Sequence, residues 1–333
     1  MKIALDAMGG DSAPTSTVAG ACEALRKYPD IEVILVGDQV RIEKELKSLG
    51  EWPMDPRFSI KHASQIVDMN DSGTEAVRRK KDSSISRATE MLADGTADAL
   101  VSAGNTGALV AAATIRLRML PGVQRPGIAA IMPTTERFFL VIDAGANVDS
   151  DPKHLLHYGI MGSVYSREVL KCKNPRVGLM NIGSEENKGN ELTKETYKLL
   201  KAAPINFIGN VEGHDLFDDG VDVVVCDGFV GNVMLKTSER LAKAISGWLR
   251  SEMKKNLVRV AGAVLAREAF HSVRRRTNAE EYGGQPLLGV NGICIKAHGN
   301  SSPKAIRNAI RNAREAVTQK VNPSIVAAIS PST

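Results

Sequence analysis

Seven turns in this 333-residue chain carry the residue types that can hold a small anion. In chain order they are Asp6-Ala7-Met8-Gly9-Gly10-Asp11, Ser102-Ala103-Gly104-Asn105-Thr106-Gly107, Asp143-Ala144-Gly145-Ala146-Asn147 and Asn181-Ile182-Gly183-Ser184-Glu185. Lys188-Gly189-Asn190-Glu191, Asp227-Gly228-Phe229-Val230-Gly231-Asn232 and Ala297-His298-Gly299-Asn300-Ser301-Ser302 complete the set. Glycine lets the backbone approach a ligand closely, and a helix that starts in such a turn offers free N–H groups to an anion. One glycine-rich turn alone is usually only a turn. Seven with the same polar grammar, gathered at one sheet edge, would make a phosphate site without a P-loop.

Other chemistries lack their residues. No GxGxxG follows the first apolar run, and GxxxxGK[ST], HExxH and GxSxG are all absent. His154 and His157 are three apart on an expected helix with no third ligand in view, so they read as a helix-surface pair and no metal is expected. The four cysteines, Cys22, Cys172, Cys226 and Cys294, form no CxxC, which fits a reducing, cytoplasmic setting. Cys226 precedes Asp227 at a strand end, where a cysteine acyl-enzyme is conceivable, but no histidine pairs with it and a small buried hydrophobe is the simpler reading. The formal charge of +5 is too small to argue for nucleic acid and favours acidic partners. The amino terminus meets Asp6 at once, unlike a signal peptide, and no apolar run approaches the roughly 18 residues of a spanning helix.

The elements that must position these turns alternate along the chain. Strands are expected at 2–6, 31–36, 99–102, 138–143, 176–181, 205–209, 221–226 and 292–297, and helices at 14–28, 41–49, 106–119, 152–171 and 191–201. Continuous apolar runs such as Asp222-Val223-Val224-Val225-Cys226 suit a sheet covered on both faces. Alternating βα units predict a three-layer α/β/α, doubly wound, mostly parallel sheet. Ser302 and Pro303 open a last helix whose apolar stripe is Ile306, Ile310, Ala313 and Val317. Asn322-Pro323 is expected to stop it, leaving 322–333 as a loosely held tail after a single domain at 1–321, in which 235–290 stands apart as a helical lobe.

The segments Met1–Asp11, Ser102–Gly107, Asp143–Asn147, Lys188–Glu191, Asp227–Asn232 and Ala297–Ser301, taken together with Arg78-Arg79-Lys80-Lys81-Asp82-Ser83-Ser84 and the stretch from His154 to Tyr165, resemble the bacterial phosphate acyltransferases of phospholipid synthesis, the PlsX family. The likeness runs from Met1 to about Val321, and its specificity lies in the order and number of the motifs. The stretch from Thr134 to Phe138 departs from it, being shorter than the family's usual turn. The resemblance implies a fold similar to the isocitrate/isopropylmalate dehydrogenase and phosphotransacetylase architecture. It also implies a homodimer and transfer of an acyl group from acyl-[acyl-carrier-protein] to inorganic phosphate, with no cofactor.

Phosphate is itself a nucleophile, so such a site need only hold it against the thioester carbonyl and stabilise the oxyanion. Lys188 is the expected charged partner of phosphate or oxyanion, Asn232 an amide donor or else a plain N-cap, and His298 a proton-transfer or hydrogen-bonding group. Asn105, Thr106 and Gly107 open a helix toward phosphate. Gly9, Gly10, Asn147, Asn181, Gly228, Gly231 and Gly299, in the surrounding turns, are expected to join them in binding phosphate or substrate. Asp6, Asp11 and Asp227 would repel phosphate as bare carboxylates, so they are expected mostly to fix loop geometry. The basic run of Arg78, Arg79, Lys80 and Lys81 reads as a solvated face or a dock for an acidic carrier protein. Leu257, Val260, Ala261, Val264 and Leu265 make an apolar stretch flanked by Lys254, Lys255 and Arg267, suited to peripheral contact with an anionic membrane or to dimer packing. A decarboxylating dehydrogenase of similar architecture and a non-catalytic carrier-binding scaffold are the alternatives.

Overall fold

Apolar runs of three to seven residues gain most when both faces of a sheet are covered, and this chain covers both. The computed structural model describes residues 1–51, 55–277 and 279–330. Its strands are β1 (Lys2–Asp6), β2 (Glu32–Gly37), β3 (Phe58–His62), β4 (Ala99–Ser102), β5 (Gly127–Pro133), β6 (Phe138–Ile142), β7 (Arg176–Met180), β8 (Asn206–Val211), β9 (Val223–Val225), β10 (Gln285–Leu288) and β11 (Ile293–Lys296). The helices are α1 (Thr15–Lys27), α2 (Gln39–Ser48), α3 (Gly73–Arg79), α4 (Ser84–Ala93), α5 (Thr106–Arg116), α6 (Pro152–Glu168), α7 (Glu191–Ala202), α8 (Gly228–Met253), α9 (Leu257–Leu265), α10 (Arg267–Thr277), α11 (Pro303–Thr318) and α12 (Val321–Ile329).

All of the described strands join one sheet in the order β3-β2-β1-β4-β11-β10-β5-β6-β9-β7-β8. Side chains alternate between faces. In β1, Ala4 packs with α4 and α5 on one side, while Ile3 and Leu5 pack with α1 and α11 on the other. At the far end Leu140 and Ile142 of β6 pack with α6 and α12. The result is the expected α/β/α sandwich.

Its polarity differs from a simple parallel sheet. β1, β4 and β11 run together, β10 is antiparallel to both β11 and β5, and β5 is antiparallel to β6. β6, β9, β7 and β8 are parallel to one another. Two parallel blocks of opposite direction therefore meet at β10 and β5. The expectation of seven turns along one rim is corrected here: those after β1, β4 and β11 leave one edge of the sheet, and those after β6, β7 and β9 leave the other. The reversal rests on β5 and β10, two strands absent from the sequence expectation, as is β3. β10 is only four residues long and contains Pro286, while β5 is rich in alanine and ends in Pro133.

The chain's end also departs from expectation. α11 is capped as predicted, Ser302 Oγ accepting from the N–H of Ala305, with Ile306, Ile310 and Ala313 fully buried. It ends at Thr318, and Lys320 turns the chain through a left-handed φ of 53°. Pro323 then lies in the first turn of α12, where a missing N–H costs nothing, so it starts a helix instead of stopping one. Val321 and Ile325 are fully buried in the cluster that includes α6, and Asn322 Nδ2 donates to the Val290 carbonyl at 3.0 Å. The loose tail is thus a docked helix as far as Ile329. Residues 331–333 of that tail lie outside the described residues.

Candidate active site

The turn after β6 is built around one carboxylate. Asp143 is buried and accepts from the N–H groups of Ile128 (2.9 Å), Gly145 (3.0 Å), Ala146 (2.9 Å) and Asn147 (2.7 Å). Burial pushes its pKa up, against the pull of those four bonds. The start of α8 is pressed onto this turn. The N–H of Gly228 donates to the Asn147 carbonyl at 2.9 Å, and a β-carbon at Gly231 would lie 1.9 Å from the Asp143 carbonyl oxygen. Gly145, at φ +125°, lies under the Asn232 side chain. Asp227 is the N-cap of α8, accepting from the N–H groups of Phe229 and Val230 at 2.9 Å each. Asn232 is therefore not the cap, and the first N–H groups of α8 are already used by protein acceptors.

The opposite rim is braced differently. Asp6 is buried, accepts from Ser102 Oγ at 2.7 Å and from the Met8 N–H at 3.3 Å, and has its pKa raised by burial against its hydrogen bonds to Ser84 and Ser102. Gly9 abuts Gly104, Gly10 abuts the Gly299 carbonyl, and the Asp11 N–H donates to that same carbonyl at 2.7 Å. Asn105 caps α5 through the Ala108 N–H, and its amide donates to the carbonyls of Asp68, Met69 and Asp71. Its side chain is spent on structure. Among the described residues, the N–H groups of Thr106 and Gly107 have no protein acceptor. This is the helix terminus left open to an anion.

Both rims reach one cavity of about 1710 Å³, which lies between β5, β10 and β11 and the α8–α10 helices. Thr106, His298 and Gly299 line it from one rim, Gly145, Gly228 and Asn232 from the other. They meet because the central strands are short. β10 places Gln285 opposite Lys296 and Leu287 opposite Ile128, a step of about 7 Å along the strand. α8 carries Asn232, Lys236, Glu239, Lys243, Ser246 and Arg250 along the cavity at helical spacing. Lys236, Arg240, Lys243, Arg250, Lys254, Arg267 and Lys296 face only Glu239 and Glu280 among its described charged side chains, so the field favours an anionic ligand. Ile128, Ala130, Leu235, Leu249, Val260 and Phe270 supply an apolar wall, and the space exceeds the roughly 300–1,000 Å³ of a small-molecule pocket.

Other predicted residues lie elsewhere. The turn bearing Lys188 follows β7, one strand beyond β9, and does not line the cavity. There Asn181 Nδ2 donates to the Lys188 carbonyl, and the half-exposed Lys188 ammonium is 3.7 Å from Glu185. Asn147 is held by the Pro126 carbonyl and Tyr158 hydroxyl at 2.5 and 2.9 Å. Burial and the neighbouring Asp143 and Asp227 push the Cys226 thiol well up, which disfavours a thiolate nucleophile. The basic run divides: Lys80 is tied to Asp71 at 2.7 Å and to the Ile66 carbonyl, Arg79 pairs with Glu75, and Arg78 and Lys81 stand at a small hollow beside Glu90, which pairs with Arg87 and Arg116. Leu257, Val264 and Leu265 are 86, 67 and 88% exposed on α9, with Val260 and Ala261 also exposed.

Sequence reasoning missed Lys296 and Glu239. Both left a signal: a lysine closing the apolar run Ile293-Cys294-Ile295, and a glutamate seven residues after Asn232 on the same face of α8.

A family model described as "Fatty acid synthesis protein" matches residues 1–324. The chain is 50% identical to a protein of Akkermansia muciniphila named phosphate acyltransferase, covering 98% of this chain and 95% of that one. It is 51% identical to a phosphate acyltransferase of Desulfitobacterium hafniense, covering 95 and 94%. The chain belongs to the phosphate acyltransferase family. Members of this family are acyltransferase enzymes. Among solved structures, a phosphotransacetylase from Streptococcus pyogenes superposes with a TM-score of 0.65 at 16% identity, over 96% of this chain and 94% of that one. A branched-chain phosphotransacylase from Enterococcus faecalis gives 0.58 at 14%, over 95 and 99%. At such identities the likeness is one of fold, and it matches the architecture expected for a phosphate acyltransferase family member.

Proposed function

We propose that this chain transfers a fatty acyl group from an acyl-carrier-protein thioester to inorganic phosphate by direct attack of bound phosphate. The observation that carries the reading is the cavity itself. It joins the unsatisfied N-terminus of α5 and a row of cations to an apolar wall, which are the needs of phosphate and of a fatty chain respectively. Phosphate sits at Thr106 and Gly107, and the Asn232 amide donates to the thioester oxygen as it becomes an oxyanion. Lys188, free to swing from its weak contact with Glu185, is the charged partner for the arriving substrate. Arg78 and Lys81 are available to an acidic carrier. The exposed Leu241, Ile245 and Trp248 of α8 support packing against a second copy, and the apolar α9 supports peripheral contact with an anionic membrane on its cytoplasmic face.

The test is release of free carrier thiol from acyl-carrier protein, with and without phosphate, for wild type and Lys188→Ala. Phosphate-dependent release by the wild type, reduced at least about tenfold in the variant, is expected. Release that ignores phosphate, or none at all, defeats the reading; an unchanged variant removes only Lys188.

A further inference from the structure

Lys296 closes β11 and lines the cavity as one of its cations, with no part so far in moving a proton. It is half-buried and, among the described residues, has no ion pair within 4 Å. The groups around it come from every neighbouring element. α8 contributes Glu239 and Lys236, β10 presents the neutral Gln285, β4 presents Ser102, and His298 follows on its own strand. Glu239 Oε1 is buried 3.4 Å from His298 Nε2, a contact that, with Lys243 and Lys296 nearby, holds its carboxyl below the ordinary range despite burial. Desolvation pushes the Lys296 ammonium down to about 8, against the pull of Glu239 and with a further push from Lys236.

Acyl transfer to phosphate poses a proton problem. The leaving thiolate must end as a thiol, whose ordinary pKa is about 8.5, while hydrogen phosphate must lose its proton as it becomes an acyl phosphate. An ordinary lysine near 10.4 holds its proton too firmly to serve both steps; one matched to the working pH serves both.

We propose that Lys296 carries this proton, as a catalytic residue of the transfer, with Glu239 and His298 as its positioning residues. The inference rests on the acyltransferase reading above. A phosphate oxygen forms the C–O bond, and the C–S bond breaks with its electron pair going to sulfur. Sulfur takes a proton from the Lys296 ammonium, and the amine so formed takes the proton of the phosphate. Thioester and hydrogen phosphate dianion become acyl phosphate dianion and thiol, with no net proton exchanged with solvent.

The decisive experiment compares wild type, Lys296→Met and Lys296→Arg on two thioesters: the acyl-carrier protein, whose alkyl thiol leaves as a basic thiolate, and an aryl thioester, whose weakly basic thiolate needs no proton. On the carrier substrate both variants should lose about 100- to 10,000-fold in kcat. On the aryl thioester the loss in Lys296→Met should shrink to within about tenfold, because only the proton is missing. Wild-type kcat on the carrier substrate should fall above about pH 8. Equal losses on both thioesters, recovery in Lys296→Arg, or a wild-type profile flat through that range would overturn the proposal, and the last needs no variant to fold. A wild type inactive with phosphate would instead defeat the acyltransferase reading itself.

Discussion

Replacing Gly231 by alanine tests how the site is held. An added β-carbon would stand 1.9 Å from the Asp143 carbonyl oxygen, where ordinary contact begins at 3.4 Å, so α8 or the turn must shift by about 1.5 Å. Neither side yields easily, because the Asp143 carboxylate is pinned by four N–H groups and Asp227 caps the helix. Overpacking costs about 1–3 kcal/mol, and this contact against backbone belongs at the upper end. Alanine returns about 1 kcal/mol of helix propensity, which leaves a net loss of about 2 kcal/mol. A shift of that size next to Asn232 should also cost on the order of 100-fold in turnover. Gly247 is the control. It lies in the same helix with nothing within 4 Å of its added β-carbon, so Gly247→Ala should stabilise by about 1 kcal/mol. Urea midpoints at constant slope and phosphate-dependent thiol release measure both quantities. If Gly231→Ala unfolds at or above the wild-type midpoint and turns over normally, the tight seating of α8 on the Asp143 turn is wrong.

Three other outcomes follow from the same geometry. Asn232→Ala should reduce turnover about 100- to 1000-fold with little change in stability, since Asp227 and not Asn232 caps α8; a loss below tenfold would exclude the oxyanion role. Val264→Asp should weaken sedimentation with anionic vesicles while the oligomeric state by light scattering stays unchanged; a dissociated oligomer would assign α9 to subunit packing instead. Asp222 is desolvated, yet its bonds to Arg176 at 2.9 and 3.1 Å outweigh that and hold its pKa below the usual 3.8. A depressed carboxylate contributes stability above the unfolded value and loses it as pH falls through 3.8 toward the folded value. Acid unfolding should therefore be shallower in Asp222→Asn, and an identical acid limb would refute the assignment.

The sequence by itself determined what is local. Ser302 and Pro303 specify the start of α11, and Ile306, Ile310 and Ala313 its buried stripe, because caps and a 3.6-residue period act within a few turns of chain. The glycine-rich, polar make-up of the turns at the strand ends was equally legible, since it depends only on residue type and on glycine's freedom of approach. Sheet direction was not. It depends on β5 and β10, whose weak local signals are overridden by pairing with strands distant in sequence. Only that pairing reveals that the turns leave two edges and meet across a short centre. The composition of the turn bearing Lys188 was legible too, but its place one strand beyond β9, outside the cavity, was decided only by the sheet order. Lys296 and Glu239, 57 positions apart in the chain, become neighbours only when α8 lies over β11. Desolvation and charge proximity are properties of the packed molecule, and no spacing along the chain encodes them.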